Sequence, residues 1–385
     1  MTKATKIVSL ALCALMAVMS MASCGGNNAG ETNGTDSYTS GNTEYFIGCT
    51  GPLTGDASSY GISVQQGATL AVEEINAAGG LNGVKFKFDM TDDKAGPPDA
   101  ATGYDMLYEA GMQISIGAVT SGSCASFGEK AAQDNLFFIT PSASAANVIE
   151  TGDNAFRVCF GDPDQGTLAA QYFDEHNFES IGAIYDTSDP YSSGVFEAFD
   201  AEMKNLGLEY KVQTFDAENK KDFSTQVEAL KDCEVIFLPF YYTEAGLVAK
   251  AAVAKGCDAL LFGCDGLDGI ADQVDETVTN TIMYITPFDA ASTDEVPAKF
   301  VKAYEAKYGA TPDQFAADGY DAIYAIYEAM KAAGIDDVTI DPDTLCEAVK
   351  AAITDPSFKL VGATGTMTWD ASGACTKAPQ IVKLG

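Results

Sequence analysis

Residues 45–80 read YFIGCTGPLTGDASSYGISVQQGATLAVEEINAAGG. Within this stretch we predict a strand at Tyr45–Thr50 and an amphipathic helix at Val64–Ala78, because apolar residues recur in the second run every three or four positions. Gly79 and Gly80 follow the helix directly and are a typical stop signal. A strand, a turn-rich loop and a helix in this order indicate one β-α unit of an α/β protein.

The same alternation continues to about residue 160 and then begins again. Further strands are predicted at 84–90, 113–118 and 136–140, and helices at 98–111 and 126–135. After the Gly- and Asp-rich segment 161–166, strands are predicted at 180–185, 209–215, 234–239 and 259–263, and helices at 165–176, 193–206, 225–231 and 245–256. A third section, about 288–364, contains predicted helices at 296–308 and 315–333. This pattern predicts two α/β units with parallel sheets covered by helices.

Composition and charge exclude several classes of function. The 385 residues include 22 Lys and Arg against 55 Asp and Glu, which gives a net charge of −33 and argues against binding to nucleic acid or, through a basic face, to anionic lipid. The chain has one histidine, His176, and no G-x-S-x-G motif, so a zinc site or a Ser-His-Asp hydrolase is not expected. We therefore predict no catalysis, no metal and no cofactor.

The N-terminus has the pattern of an export signal. Two lysines precede an apolar run at residues 7–21, which is shorter than the ~20 residues that span a bilayer. The run ends in Met21-Ala22-Ser23-Cys24, which resembles a bacterial lipobox. We predict a lipoprotein signal peptide at 1–23, a lipid on Cys24 and a flexible tether at 24–43, where apolar side chains are nearly lacking. The alternative is an ordinary secretory signal in which Cys24 has no role.

The segments that follow the predicted strands are rich in hydroxyl groups, small residues and tyrosine. Because ligands of open parallel sheets bind beyond the carboxyl ends of the strands, these segments are the candidate site. They are 51–61, 119–123, 141–144, 186–191, 240–242 and 264–266.

Two kinds of charge partner are found in these segments. Ser121, Ser142 and Ser144 stand before predicted helices, whose free N–H groups favour a carboxylate. Asp265 follows a strand of the other unit and is a candidate partner for a cation. With tyrosines between them, namely Tyr60, Tyr191 and Tyr241, these groups match the zwitterion of an α-amino acid. The alternative is that each serine caps a helix and that Asp265 is a turn residue.

Several motifs resemble one known family. GPLTG at 51–55, Tyr60-Gly61 and AVEEINAAGG at 71–80 resemble the opening of the type I periplasmic binding proteins, above all the leucine/isoleucine/valine-binding proteins of ABC importers. FITPSAS at 138–144, KDFS at 221–224, FAADGYD at 315–321 and GTMTWD at 365–370 are similar to the same family. The resemblance covers residues 44–385.

The resemblance implies a fold of two Rossmann-like lobes with parallel sheets, joined by a three-stranded hinge. The first lobe would comprise 44–160 with 288–364, and the second 161–287 with 365–385. Ser121 and Ser144 fall where the family contacts the amino acid through hydroxyls, and Ser142 falls where a main-chain group does so. Asp265 falls where the family often has a Glu for the α-ammonium.

Other positions of the site also follow from the resemblance. Tyr60, Tyr191 and Tyr241 fall on aromatic residues of the family's pocket. The disulfide that some relatives have near the pocket is absent, because Ala95 and Thr120 occupy the matching positions.

The resemblance, together with the lipobox pattern, further predicts an extracytoplasmic, lipid-anchored solute-binding component of an ABC importer. It would bind a branched-chain or small aliphatic amino acid by hinge closure, as a monomer, and deliver it to a permease driven by an ATPase. Its expected location is the outer face of the cell membrane or the periplasm. A ligand-sensing receptor subunit, and a binder of amides, urea-like solutes or aromatic acids, remain alternatives.

Overall fold

The computed structural model describes residues 41–384. The predicted signal peptide, Cys24 and residues 24–40 of the predicted tether lie outside this range. None of the helices within it combines the length and the hydropathy that crossing a membrane requires. In the same part of the chain, no group of three or more His, Cys, Asp or Glu side chains is arranged to hold a metal ion.

The first of two parallel sheets has five strands. They are β1 Tyr45–Gly51, β2 Phe86–Asp92, β3 Ile114–Ala118, β4 Phe138–Thr140 and β5 Ala155–Arg157. Their order in space is β2-β1-β3-β4-β5, and all neighbours are parallel. The chain runs to one side of β1 and then to the other, so a crevice forms beyond the carboxyl ends of β1 and β3.

The second sheet has six strands. Five are β6 Ile181–Asp186, β7 Tyr210–Phe215, β8 Val235–Leu238, β9 Leu260–Gly263 and β10 Ile282–Thr286. A separate hairpin pairs β11 Leu360–Gly362 with β12 Gly365–Met367, and the chain then adds β13 Gln380–Lys383 to the edge of this sheet. The order is β13-β10-β9-β8-β6-β7, and only β13 is antiparallel to its neighbour. The predicted α/β architecture with two parallel sheets in two lobes is confirmed.

Helices follow most strands. They are α1 Ser58–Ala77, α2 Pro97–Glu109, α3 Ser121–Gln133, α4 Ala146–Ile149, α5 Asp162–Glu175, α6 Pro190–Leu206, α7 Ser224–Leu230, α8 Tyr242–Lys255, α9 Glu295–Tyr308, α10 Gln314–Ala332 and α11 Pro342–Ile353. The predicted starts of the helices after β1 and β3, at residues 64 and 126, were wrong, because these helices begin at Ser58 and Ser121. Their first turns contain small and hydroxyl residues and therefore carry no apolar period.

Helices α1 and α10 cross at very short range. A Cβ atom on Gly67 would overlap the carbonyl group of Ala316, and one on Gly319 would overlap the backbone of Val64. Only glycine permits this approach, because its lack of a side chain lets the two backbones meet. The crossing holds the first turn of α10 beside the part of α1 around Gly67.

An ion pair buried in the fold ties α10 to the segment that leads into β13. Lys377 Nζ lies 2.8 Å from Asp318 Oδ1, and the two side chains are 1% and 3% exposed. Burial opposes the charged form of Lys377, but the carboxylates of Asp318 and Asp321 outweigh it and raise the pKa of the lysine. The positive charge is therefore held in the interior by its neighbours.

The first turn of α10 also contacts the second lobe. The backbone N–H of Gln314 donates to Asp268 Oδ2 at 3.0 Å, and Gln314 Nε2 donates to the carbonyl of Asp265 at 2.6 Å. Asp313, the residue before the helix, accepts from the N–H of Ala316 at 2.9 Å. Burial, together with the nearby charge of Asp313, raises the pKa of Asp268 to about 7. Two carboxylates from different parts of the chain thus share one helix N-terminus.

Replacing Lys377 with methionine should lower the free energy of unfolding by about 3–5 kcal/mol, because Asp318 would stay buried without its partner. Urea denaturation followed by circular dichroism measures this loss. Lys383→Met is the matched control, since Lys383 is exposed on the same C-terminal segment, and a change below about 0.5 kcal/mol is expected there. Equal stability of the two variants would show that the ion pair contributes nothing.

The contact between the lobes should weaken as the pH rises from about 4 to about 7. When the lobes separate, Asp268 moves away from Asp313, and the pKa of Asp268 should fall towards the usual ~3.9. The closed arrangement therefore binds a proton at Asp268 more tightly than the open one does, and it is most stable at low pH. Small-angle scattering at about pH 5 and about pH 8 measures the opening. Asp268→Asn should remove this pH response, whereas Asp272→Asn, an exposed neighbour, should keep it. An undiminished response in Asp268→Asn would contradict the assignment.

Candidate ligand-binding cleft

A small cavity lies where the carboxyl ends of the two sheets face each other. Its volume is about 20 Å³, and its walls are Tyr60, Val119, Thr120, Ser121, Ser142, Tyr191, Tyr241, Asp265, Gly266 and Phe315. Of the predicted ligand-binding residues in the described range, only Ser144 is not on its wall. Four wall residues were not among the predicted site residues. Val119, Thr120 and Gly266 belong to the strand-end segments of the sequence, and Phe315 belongs to the FAADGYD motif. The sequence therefore contained a pattern that could have indicated each of them.

Two serines build the wall that comes from the first sheet. Ser121 opens α3, and its hydroxyl accepts from the N–H of Ala145 at 3.2 Å. The hydroxyl of Ser142, which follows β4, donates to the carbonyl of Val119 at 2.7 Å. These two bonds tie the loop after β4 to the loop after β3. The wall therefore combines fixed hydroxyl groups with the uncapped N-terminus of a 13-residue helix.

Ser144 lies behind this wall. Its carbonyl accepts from Arg157, the only arginine of the sequence, and from the N–H of Asp162 at 3.1 Å. Its hydroxyl is buried and makes no regular hydrogen bond with the described part of the chain. Asp162 is also buried, and burial raises the pKa of its carboxyl well above the usual range. Polar groups with unused hydrogen-bonding capacity thus lie next to the cavity.

Asp265 is the charged residue of the opposite wall. Its side chain is 6% exposed, and Tyr191 Oη donates to its Oδ1 at 2.6 Å. Its backbone N–H donates to Gln165 Oε1 at 2.9 Å, which fixes the start of the turn after β9. Burial raises the pKa of Asp265 to about 6, although the bond from Tyr191 opposes the shift. Within residues 41–384, Asp265 forms no ion pair, so the carboxylate can still gain from a positive charge.

Aromatic side chains close the cavity from both sides. Tyr191 and Tyr241 stack with their ring centres 5.2 Å apart. The ring centres of Tyr60 and Phe315 lie 4.2 Å apart. Tyr60 Oη donates to the carbonyl of Gly266 at 2.5 Å and accepts from the N–H of Tyr242 at 3.2 Å. Because Tyr60 belongs to α1 and its two partners to the second lobe, the lobes are in direct contact at the cavity.

A wider cleft of about 520 Å³ shares Thr120 and Tyr241 with the small cavity. Lys220 joins two carboxylates of its lining, because Lys220 Nζ lies 3.2 Å from Asp56 and 3.0 Å from Glu244. The hydroxyl of Thr243 adds a bond to the carbonyl of Asp56 at 2.8 Å. Together these contacts bridge the loop after β1 and the start of α8.

The arrangement can bind a small dipolar solute. Helix N–H groups and serine hydroxyls on one wall suit an anion, and the buried carboxylate on the other suits a cation. The only histidine, His176, is exposed at the end of α5, where its Nδ1 lies 2.8 Å from the carbonyl of Tyr172, and it is on the wall of neither cavity. The cleft therefore offers the groups that bind the two charges of a dipolar solute.

Comparison with known proteins agrees with this geometry. A Leu/Ile/Val-binding protein homologue of Brucella abortus is 28% identical over 336 residues, which are 86% of this chain and 87% of that protein. A leucine-, isoleucine-, valine-, threonine- and alanine-binding protein of Pseudomonas aeruginosa is 28% identical over 315 residues, 79% of this chain and 82% of the relative.

Solved structures with a similar fold include a binding protein of the same kind. The crystal structure of the branched-chain amino acid transporter substrate-binding protein LivJ of Streptococcus pneumoniae, in complex with isoleucine, has a TM-score of 0.77 and 28% identity, and the match covers 89% of this chain and 100% of that one. The sequence profile of the family described as "Periplasmic binding protein" matches residues 44–378. With most of its length matched in sequence and in structure, this chain belongs to the periplasmic binding protein family.

Proposed function

We propose that this solute-binding protein of an ABC transporter binds a branched-chain or small aliphatic α-amino acid and delivers it to an importer. The observation that carries the proposal is the buried carboxylate of Asp265, which has no ion pair within the described range and faces the serine wall across a cavity. The names of the relatives, which refer to leucine, isoleucine and valine, support the choice of ligand. Like these binding proteins, the chain is not an enzyme.

Each wall has a defined role in the proposal. The hydroxyl of Ser121 and the first N–H groups of α3 bind the α-carboxylate, and Ser142 holds the adjoining loop in place. Asp265 binds the α-ammonium, because a buried carboxylate gains most from a cation held at contact distance. Ser144 contributes its hydroxyl from behind the wall. Tyr60, Tyr191 and Tyr241 pack around the ligand and exclude water.

Binding proceeds by hinge closure. The cavity of about 20 Å³ has room for about one water molecule, so the lobes must separate before an amino acid can enter. We place the first lobe at 44–160 with 288–364 and the second at 161–287 with 365–385. The ligand docks on the serine wall of the first lobe, and the second lobe then brings Asp265 and the tyrosines onto it. Ligand binding shifts the population towards the closed form by no more than its differential affinity for it.

The proposal includes a location and partners. The protein acts as a monomer that a lipid on Cys24 and a flexible tether hold at the outer face of the cell membrane, where a permease and an ATPase take up the bound amino acid. The export-signal pattern of residues 1–23, followed by Cys24, supports this. A receptor subunit of the same fold is the alternative.

Changing Cys24 to serine should release the protein from the membrane, because the thiol is the acceptor of the lipid. Fractionation of the expressing cells measures the membrane-bound share, which should fall from nearly all of the protein to a minor part. Cys49→Ser is the control, since Cys49 is buried in β1 and should not change the distribution. If Cys24→Ser stays bound to the membrane, the lipid anchor is wrong.

The function is tested by calorimetry on protein that has been unfolded, freed of any bound solute and refolded. Titration with each of the twenty amino acids should show tight binding for a small group of them and none for the rest. Asp265→Ala should abolish that binding, because the ammonium would be buried without a partner.

Asp258→Ala is the matched control, since Asp258 is exposed just before the amino end of the same strand, β9, and should bind normally. If the Asp265→Ala variant keeps its affinity, Asp265 does not belong to the site. If no amino acid binds the unchanged protein, amides, urea-like solutes and aromatic acids become the candidate ligands.

A further inference from the structure

A lysine in the lining of the wide cleft connects the two sides of the molecule. Lys220, in the loop between β7 and α7, has its Nζ atom 3.0 Å from Glu244 in the first turn of α8 and 3.2 Å from Asp56. Asp56 follows β1 of the five-stranded sheet, whereas Lys220 and Glu244 belong to the chain that forms the six-stranded sheet. None of the three lies on the wall of the small cavity. This connection is therefore separate from the groups that face the ligand there.

The two carboxylates that Lys220 contacts differ in their exposure. The side chain of Glu244 is 8% exposed and that of Asp56 is 67% exposed. Burial opposes the charged form of Lys220, but Glu244 and Asp56 outweigh it and raise the pKa of the lysine. Because Glu244 and Lys220 belong to the same lobe, their pair would persist when the lobes separate and would keep the lysine in position. Asp56 is mostly in water already, so it can leave Lys220 at little cost.

Other contacts hold the loop of Asp56 against the start of α8. The hydroxyl of Thr243 donates to the carbonyl of Asp56 at 2.8 Å. The hydroxyl of Tyr242 accepts from the backbone N–H of Ser59 at 3.3 Å. These contacts join the same two segments as the ion pair does. The position of the Asp56 carboxylate opposite Lys220 is therefore set by the backbone of its loop as well as by its own side chain.

The charge of the chain makes a cation at this place effective. The net charge is −33 and acidic residues occur throughout both lobes, so closure brings together two bodies that repel each other. Among the ion pairs of residues 41–384, two join the lobes as placed above, Lys220–Asp56 and Lys377–Asp318. The second pair is buried in the interior. The first lies in the lining of the cleft, where it can form and break as the lobes move.

We propose that Lys220 and Asp56 form a latch, an ion pair that is made when the lobes close and that slows the release of every bound ligand by the same factor without contacting it. Glu244 positions the lysine in the open form, and closure then brings Asp56 to it. Because the latch is made after the ligand has docked, it changes the rate of release rather than the rate of encounter. The inference rests on the proposed function, since it assumes that an amino acid closes the lobes.

Substitutions at Asp56 test the latch without leaving a buried charge unpaired. Asp56→Asn should weaken the binding of leucine, isoleucine and valine by about two- to fivefold, and by the same factor for each. Asp56→Lys faces Lys220 with a like charge and should weaken binding further. Calorimetry measures the affinities, and displacement of radiolabelled leucine by an excess of unlabelled leucine should show faster release by the same factor. Urea denaturation of the ligand-free protein should not change, because Asp56 is exposed.

Asp105→Asn and Asp105→Lys are the matched controls. Asp105 is 50% exposed and pairs with Lys130 at 2.9 Å, but this ion pair joins α2 to α3 within one lobe, so affinity and release should stay unchanged. The difference between the unchanged protein and Asp56→Lys should also shrink as the salt concentration rises from about 0.05 to about 1 M, because mobile ions screen the charges.

The outcomes separate the latch from the proposed function. Equal affinity and equal release in the unchanged protein and both Asp56 variants overturn the latch and leave the proposed function standing. A loss that differs among leucine, isoleucine and valine would make Asp56 a ligand contact, which also overturns the latch. If none of the twenty amino acids binds the unchanged protein, the proposed function is refuted, and the inference that rests on it is refuted as well.

Discussion

The close crossing of α1 and α10 is the constraint on which the site depends. Because Gly67 and Gly319 let the two backbones meet, the first turn of α10 is held at the boundary of the two sheets. Gln314 in that turn donates to the carbonyl of Asp265 and accepts from the hydroxyl of Thr286 at 3.1 Å, at the end of β10. The buried side chain of Gln314 thus connects α10, the turn that carries Asp265 and the end of β10. The turn of Asp265 is set by this contact and by Gln165, not by its own sequence alone.

Two buried carboxylates of the fold, Asp318 and Asp265, have different neighbours. Asp318 has Lys377 at 2.8 Å, and this pair joins α10 to the C-terminal segment. Asp265 is equally buried, but its side-chain partner is the neutral hydroxyl of Tyr191. In a chain with a net charge of −33, an acidic group without a cation is costly in the interior. Under the proposed function, a ligand with a positive group would remove that cost at Asp265, and the same free energy would drive closure of the lobes.

The small cavity and the wider cleft are built from different parts of the fold. The serine wall and Asp265 face the small cavity, and their positions follow from the strand ends of the shared fold. The cleft beyond Thr120 is formed by loops from both sheets, among them the loop of Ala95 and the turn that holds Asp186 and Asp189. Loops of this kind vary freely on a constant scaffold. Relatives of 28% identity can therefore share the fold while the loops that line the cleft differ.

The sequence by itself determined the alternation of strands and helices, because hydrophobic period and turn signals are local. It also determined which strand ends form the candidate site, because the carboxyl ends of parallel strands lie at one edge of the sheet. The predicted residues that meet there are Tyr60, Ser121, Ser142, Tyr191, Tyr241 and Asp265. The sequence missed the first turns of α1 and α3, whose small and hydroxyl residues face the cleft and show no apolar period. Only the tertiary structure decided that Ser144 lies behind the wall, that Tyr191 bonds Asp265 and that Lys377 pairs with Asp318. These contacts join residues 59 to 74 positions apart, or depend on how one loop turns, and no local pattern encodes such pairings.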